Sequence, residues 1–295
     1  MNAAHSDTQL SPTAAVAGNV ATERFRASGK TVNAHLSPEA SRARVNLLAT
    51  RAVRALNDIV LEERVTYAEY NALKAWLIKV GEDGEWPLWL DVWLEHSVED
   101  VATDHRQGNK GSIEGPYYVP DAPELGPTDT IPMREDEEGT PLRFFGQVRS
   151  VDGTPLPEAR VELWHADSDG YYSQFVPGIP EWNLRATFRV DAEGRFDLRT
   201  MQPAAYQIPT DGACGQLIAA AGWHAWRPAH LHLKVGAPGH ELLTAQLYFP
   251  GDPHNDDDIA TAVKPELMLE IAPNSAGSGH QTEYDFVLDP EPASP

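Results

Sequence analysis

The chain has almost no cysteine. Cys214 stands alone among 295 residues, which excludes an intramolecular disulfide and any Cys-rich zinc site. That usage fits a reducing cytoplasm, the expected location. Positive charge is also scarce. Only 23 Lys and Arg stand against 44 Asp and Glu, a formal net charge of -21. Phosphate binding wants a basic surface, so the balance argues against nucleic acid. The acidity serves solubility and favours a neutral small molecule or a locally basic pocket. Long apolar runs are missing too. No stretch has the length of a membrane span, so no membrane insertion is expected. The N-terminus lacks the basic and then apolar regions of a signal peptide. Hydrophobic residues still make up 41% of the chain, enough for a sizeable core.

Patterning divides the chain. Residues 1–20 are polar and unpatterned and read as a disordered tail. Residues 21–110 read as a helical segment. In "RVNLLATRAVRALNDIVLEER", Val45, Leu48, Ala52, Leu56 and Ile59 or Val60 recur at helical spacing. "TYAEYNALKAWLIKVGEDG" opens on Thr66 with Glu69 three residues later, a capping box, and closes on Gly81 and Gly84. "PLWLDVWLEHSVEDVA" starts on Pro87 and reads as one further helix. From residue 141 the period drops to two. "PLRFFGQVRS", "ARVELWHA", "AHLHLKV", "LLTAQLYF" and "EYDFVLD" read as strands, and "ATFRVDAEGRFDLRTM" as a hairpin turning at Glu193-Gly194. The expected fold class is α+β, mainly β: an antiparallel β-sandwich over residues 111–295 behind the helical segment.

The chemistry concentrates in "RPAHLHLKV". Residues i and i+2 of a strand share a face. His230 and His232 therefore point one way, with Leu231, Leu233 and Val235 opposite. Such a pair is either hydrogen-bonded without further role or a metal ligand pair. A cupin-like or zinc site would need a third His or a Glu. His240, His254 and His280 lie downstream, none in a clear strand pattern. Arg227, just before the pair, is a surface ion-pair residue or a buried stabiliser of negative charge. "WHADSDGYYSQF" places Tyr171 and Tyr172 in a loop, and "PAAYQIPTDG" does the same for Tyr206. An isolated tyrosine is commonly a core or rim aromatic. A tyrosinate, however, is a hard oxygen donor that suits Fe(III), and two Tyr with two His would make a ferric set. Gln246, on the following strand, is a candidate hydrogen-bond partner for such a site.

Taken in order, "IEGPYYVPDAPE", "VELWHADSDGYYSQF", "PAAYQIPTDG" and "RPAHLHLKVGAPGHELLTAQLYF" resemble the intradiol ring-cleaving dioxygenases. Within them the chain is most similar to the actinobacterial catechol 1,2-dioxygenases. The resemblance runs from about residue 20 to 290. It implies a five-coordinate non-haem Fe(III) site with Tyr172 and His230 equatorial, Tyr206 and His232 axial, and a hydroxide completing the set. The alignment, not chemistry, selects Tyr172 over Tyr171. Arg227, Tyr206 and Gln246 become the catalytic residues, with Tyr206 leaving the metal to take a substrate proton. The implied reaction is cleavage of a catechol-type substrate by O₂ to cis,cis-muconate, in aromatic degradation. The implied substrate pocket comprises Leu88, Asp91, Ile113, Gly115, Pro116, Tyr117 and Ala260. Leu88 and Ile113 serve equally well as ordinary core. A carboxylate at Asp91 also occurs in relatives that cleave chlorocatechols or hydroxyquinol, which leaves the ring substituents open. The resemblance further implies a homodimer through the helical segment and a bound phospholipid. Two rivals remain: a non-catalytic, transthyretin-like binding module, and an extradiol enzyme using Fe(II), two His and a carboxylate.

Overall fold

The computed structural model describes residues 38–292, with side chains from residue 42. The expected tail, residues 1–20, lies outside them. The described chain begins with helices α1 (Pro38–Glu62) and α2 (Tyr67–Asp83). Thr66 caps α2 through the expected capping box: Glu69 Oε2 accepts the Thr66 N–H at 2.7 Å, and Thr66 Oγ1 accepts the Glu69 N–H at 3.3 Å. Gly84 ends α2 in the left-handed conformation, φ 74°.

The next expected helix is two. Helix α3 (Trp86–Trp93) and helix α4 (Glu95–Thr103) meet at Leu94, whose φ of −125° leaves the helical range. The break coincides with a tertiary demand on Glu95. Its carboxylate accepts the backbone N–H of Glu114 at 2.8 Å and of Gly115 at 3.2 Å. Among the described residues no helix is long and apolar enough to cross a membrane.

Two sheets face each other across one core. The first runs β1 (Glu124–Leu125), β5 (Arg185–Arg189), β4 (Arg160–Trp164), β9 (His230–Gly236), β10 (Leu243–Tyr248). The second runs β11 (Ala272–Pro273), β12 (His280–Glu283), β3 (Pro141–Ser150), β6 (Arg195–Met201), β2 (Thr128–Thr130), with β13 (Phe286–Leu288) also on β3. A small ribbon pairs β7 (Tyr206–Gln207) with β8 (Trp226–Arg227), and helix α5 (Ala213–Ala221) lies between them in sequence. The central pairings β3–β6, β4–β5, β4–β9 and β9–β10 are antiparallel, as a sandwich requires. The short peripheral strands β1, β2, β12 and β13 pair parallel. These parallel pairings join segments distant in the chain, although β12 also pairs antiparallel with its sequence neighbour β11.

The turn at Glu193-Gly194 is not a hairpin. It carries the chain from the first sheet to the second, and β5 and β6 never pair. The two strands have different environments. Arg185 through Phe188 are all buried, as in an inner strand covered on both faces, whereas β6 alternates. Gly194 sits at φ 74°, and a Cβ there would lie 2.6 Å from the Val148 carbonyl oxygen, so the turn packs tightly on β3.

The inner faces form the main core, which includes Phe144, Phe188, Phe196, Phe286, Leu231, Leu233 and Val235. The outer face of the first sheet is covered by a second cluster joining α3, α5 and the loops. It contains Leu88, Val92, Ile113, Tyr117, Tyr172, Tyr206 and Ala260. Chemistry is concentrated on this second face.

Candidate active site

Strand register assembles the site. His232 stands opposite Trp164 on β4 and Gln246 on β10, and His230 stands opposite Tyr248. Alternation sends these side chains to the outer face, while Leu231, Leu233 and Val235 enter the core. The ribbon sets Tyr206 opposite Arg227. Tyr172 comes from the loop after β4. Its neighbour Tyr171 is 48% exposed, whereas Tyr172 is 2% exposed.

Two devices hold that loop. Asp167 accepts the backbone N–H groups of Asp169 at 3.1 Å and Tyr171 at 2.9 Å, making a tight turn. Gly170, at φ 84°, lets the loop approach Tyr206: a Cβ there would come within 2.7 Å of the Tyr206 Cβ. Arg185 then ties the far side down. Its Nε donates to Ser173 Oγ at 2.8 Å and its Nη1 to the Tyr117 carbonyl at 2.8 Å. The Tyr117 ring stacks on Tyr172 with centroids 4.3 Å apart. Arg185 carried no local sequence signal, because an Arg on a strand ordinarily reads as solvent-facing.

Four donor atoms converge in this buried space. His230 Nε2 and His232 Nε2 lie 3.0 Å apart, and His232 Nε2 lies 3.2 Å from the Tyr172 hydroxyl. The Tyr206 ring packs edge-on against Tyr172, with centroids 5.4 Å apart. His230 Nδ1–H donates to the Pro228 carbonyl at 2.7 Å, which fixes the tautomer and leaves the Nε2 lone pair aimed inward. Burial pushes the His230 pKa down to about 3, with Arg227 adding to the shift, so the ring is neutral. Burial lowers His232 in the same direction, reinforced by His230. Burial raises both Tyr172 and Tyr206, while Arg227 opposes the rise. Two neutral imidazoles and two phenols that ionise only against a strong Lewis acid fit a trivalent cation. They do not fit a carboxylate-bearing Fe(II) set.

A second layer holds Arg227. Its Nε donates to Asp258 Oδ1 at 3.0 Å, and its Nη2 donates to Asp258 Oδ2 at 3.1 Å and to Gln246 Oε1 at 2.7 Å. Its Nη1 lies 3.3 Å from His230 Nε2. Gln246 Oε1 also accepts from the Tyr248 hydroxyl at 2.7 Å, which turns the Gln246 amide nitrogen onto the Ile113 carbonyl at 2.9 Å. Burial opposes charge on Asp258, but Arg227 outweighs it and holds the carboxyl below its usual range. Asp258 also accepts the N–H groups of Ala260 and Ala262, both at 3.1 Å. Sequence reasoning missed Asp258 and Tyr248. Asp258 hides in the acidic run "NDDDI", which reads as a solvated face, and Tyr248 reads as core.

The expected pocket residues gather around these donors. Leu88, Ile113, Tyr117 and Ala260 are buried in one cluster with Tyr172 and Tyr206. Gly115, at φ 71°, would place a Cβ 3.5 Å from His232 Cε1. Pro116 is half-buried between Gly115 and Tyr117. Asp91 is half-buried on α3, one turn from Leu88. Burial, with Glu95 and Glu114 nearby, pushes its pKa up to about 7. Of the other histidines, His240 meets the Pro238 carbonyl and His280 meets Gln202, both away from the donor cluster.

A β-sandwich whose outer face gathers two tyrosines, two histidines and an ion-paired arginine defines a class, and the comparisons with known proteins agree. Residues 113–290 match the family described as Dioxygenase, and residues 42–110 match the catechol dioxygenase N terminus. The chain belongs to the intradiol ring-cleaving dioxygenases. It is 41% identical over 219 residues to the chlorocatechol 1,2-dioxygenase of Rhodococcus opacus, covering 73% of this chain and 85% of that protein. It is 34% identical over 246 residues to the catechol 1,2-dioxygenase of Acinetobacter baylyi, covering 80% of this chain and 78% of that one. The crystal structure of 3-chlorocatechol 1,2-dioxygenase from Rhodococcus opacus 1CP aligns with a TM-score of 0.81 at 46% identity, over 85% of this chain and all (100%) of that one.

Proposed function

We propose that the protein cleaves chlorinated catechols between their two hydroxyl-bearing carbons, using O₂ and a ferric ion held by Tyr172, Tyr206, His230 and His232. The convergence of His230, His232 and Tyr172 at hydrogen-bond distances, with the buried Tyr206 ring packed against Tyr172 and His230, carries the reading. A ferric ion held by these four residues would supply Lewis-acid activation of a catechol toward dioxygen. The chain's residues do the rest. With the ion bound, Tyr206 would be the base: its phenol oxygen would accept one catechol proton, and Arg227, its partner across the ribbon, would hold the tyrosinate charged until that transfer. The Arg227 guanidinium then faces the negative charge that develops on the ring. Gln246 and Asp258 hold it in that orientation. Both atoms of O₂ enter a muconate-type diacid.

Substituent preference rests on two supports. The relatives at 41% and 46% identity are chlorocatechol enzymes by name. Asp91, beside Leu88, is also poised to be uncharged near neutrality. It therefore tolerates an electron-rich chlorine that a fixed carboxylate would repel. Unsubstituted catechol, giving cis,cis-muconate, is the second reading, favoured by the match of residues 42–110 to the catechol dioxygenase N terminus. Helix α1 exposes Val45, Leu48, Val53, Leu56, Ile59 and Val60 between 42% and 61%. A second copy of this chain and a phospholipid acyl chain are the proposed cover.

A competition assay tests the reading. Iron-loaded protein, red-brown from tyrosinate-to-iron charge transfer, is given equal catechol, 4-chlorocatechol and hydroxyquinol in air. Faster loss of chlorocatechol is expected. Faster loss of catechol or hydroxyquinol would keep the site and reassign the substrate. A colourless iron-treated protein that consumes none would instead support a binding module.

A further inference from the structure

A second set of metal-ligating side chains lies on the segments that carry Arg227 and Asp258. His224 follows α5, and His254 and Asp257 lie in the loop after β10. Their ligand atoms all fall within 4.8 Å of one another. His254 Nδ1 lies 3.0 Å from Asp257 Oδ1, and His224 Nε2 lies 3.3 Å from Asp257 Oδ2. Tetrahedral bonds of about 2.0–2.1 Å put neighbouring ligand atoms roughly 3.3–3.4 Å apart, so small side-chain adjustments suffice.

The scaffold under these donors is firm. Asp252 accepts the His254 N–H and the Ala229 N–H, both at 2.9 Å. Ile259 N–H donates to the Trp226 carbonyl at 3.1 Å, which ties the loop to β8. The Trp226 ring stacks on His254 at 5.0 Å with 5° between planes. His254 Nδ1 hydrogen-bonds to Asp257 Oδ1, and His224 Nε2 lies at ion-pair distance from Asp257 Oδ2. Metal binding has a definite cost. His224 Nδ1 accepts the Trp226 N–H at 3.1 Å, and ligation through Nε2 requires that bond to be given up.

We infer that His224, His254 and Asp257 form a second metal site, selective for zinc or another late first-row divalent ion, distinct from the Tyr/His centre. Two imidazoles and one carboxylate select such ions over magnesium and calcium, which want all-oxygen sets. Three protein ligands leave a position for water, and His224 and Asp257 are partly exposed, so the ion exchanges freely. The three ligands come from the two segments that also carry Arg227 and Asp258. A bound ion would clamp those segments together from outside.

The test is a zinc titration of the iron-loaded protein by calorimetry, with the visible band followed in parallel. One zinc per chain is expected at micromolar concentration with the band unchanged. His254→Gln and Asp257→Asn, each with its band intact, should weaken binding by at least about tenfold, as loss of a ligand does. Wild-type protein that takes up no zinc below millimolar concentration overturns the inference. So does uptake that both variants retain, or uptake that bleaches the band, since either places the zinc elsewhere.

Discussion

Helix α1 and strand β9 break the ordinary burial rule in opposite directions. Helix α1 leaves an apolar row in the open, with Leu56 61% exposed. Strand β9 hides two imidazoles among hydrocarbon, each 1% exposed. Buried polar groups cost free energy unless partnered, and exposed apolar rows cost it unless covered. Each anomaly therefore points to a partner beyond the described residues. Strand β9 points to an ion, because its donors are arranged for one. Helix α1 points to a surface, because its side chains carry no chemistry. The burial anomaly locates a site, and the chemistry of the residues involved decides its kind.

The strongest way to break this comparison is to remove a donor. Tyr172→Phe deletes one oxygen from the set, and the visible band and bound iron should fall sharply together. Iron content and colour equal to wild type would show that Tyr172 is only a packed aromatic. Arg227→Ala comes next and separates metal from reaction. Iron and colour should persist while kcat drops by about 10²–10³, the usual cost of one charge-stabilising donor. Loss of iron there would make Arg227 a structural support of the ligands. Asp258→Asn is the milder version. It keeps the shape but turns one accepting oxygen into a donating NH₂, so one bond to Arg227 is lost and the other loses its charge assistance; kcat should fall roughly tenfold with iron retained.

These variants also mark the boundary of what the sequence makes legible. His230 and His232 are readable because strand alternation alone puts them on one face. Tyr172 needs the resemblance, since Tyr171 has the same chemistry. The structure separates the two by burial, through the Asp167 turn and Gly170. Asp258 is invisible locally because its partner Arg227 is distant in the chain. The same limit explains the sheet crossing at Gly194 and the helix break at Leu94. Local pattern specifies a turn or a helical stretch, but partners far away decide which sheet receives the strand and where Glu95 must point. Helix α1 is the converse case. Its stripe is plain in the sequence, while nothing among the described residues covers it.

The α1 side of the comparison gives a smaller, sharper test. Leu56→Glu places a charge in the exposed row without touching the donor cluster. Light scattering should show a shift toward monomer, with colour and kcat near wild type. A mass unchanged by this substitution would remove α1 from the proposed interface.

The smallest expected effect lies at Asp91, where the two halves of the molecule meet. Burial, Glu95 and Glu114 raise its pKa to about 7, so it is protonated below that value and anionic above it. The sign follows from charge. If the substrate lies beside Leu88 and Asp91 as proposed, the negative carboxylate that appears as pH rises through 7 opposes a catecholate, and KM for chlorocatechol should rise. Stability follows the same direction. The folded state holds this proton between the ordinary Asp range and pH 7 while the unfolded chain has lost it, so this contribution is present at acid pH and is lost as pH climbs through 7. Asp91→Asn removes the titration. Its KM should lose the inflection near neutrality and change only a few-fold at pH 6, with iron and colour unaffected. An inflection that survives in Asp91→Asn would belong to Glu95, whose carboxyl is also raised by burial and which lies beside Asp91. In that case substituent preference is controlled by the hinge between α3 and α4, not by the face of α3 that carries Leu88.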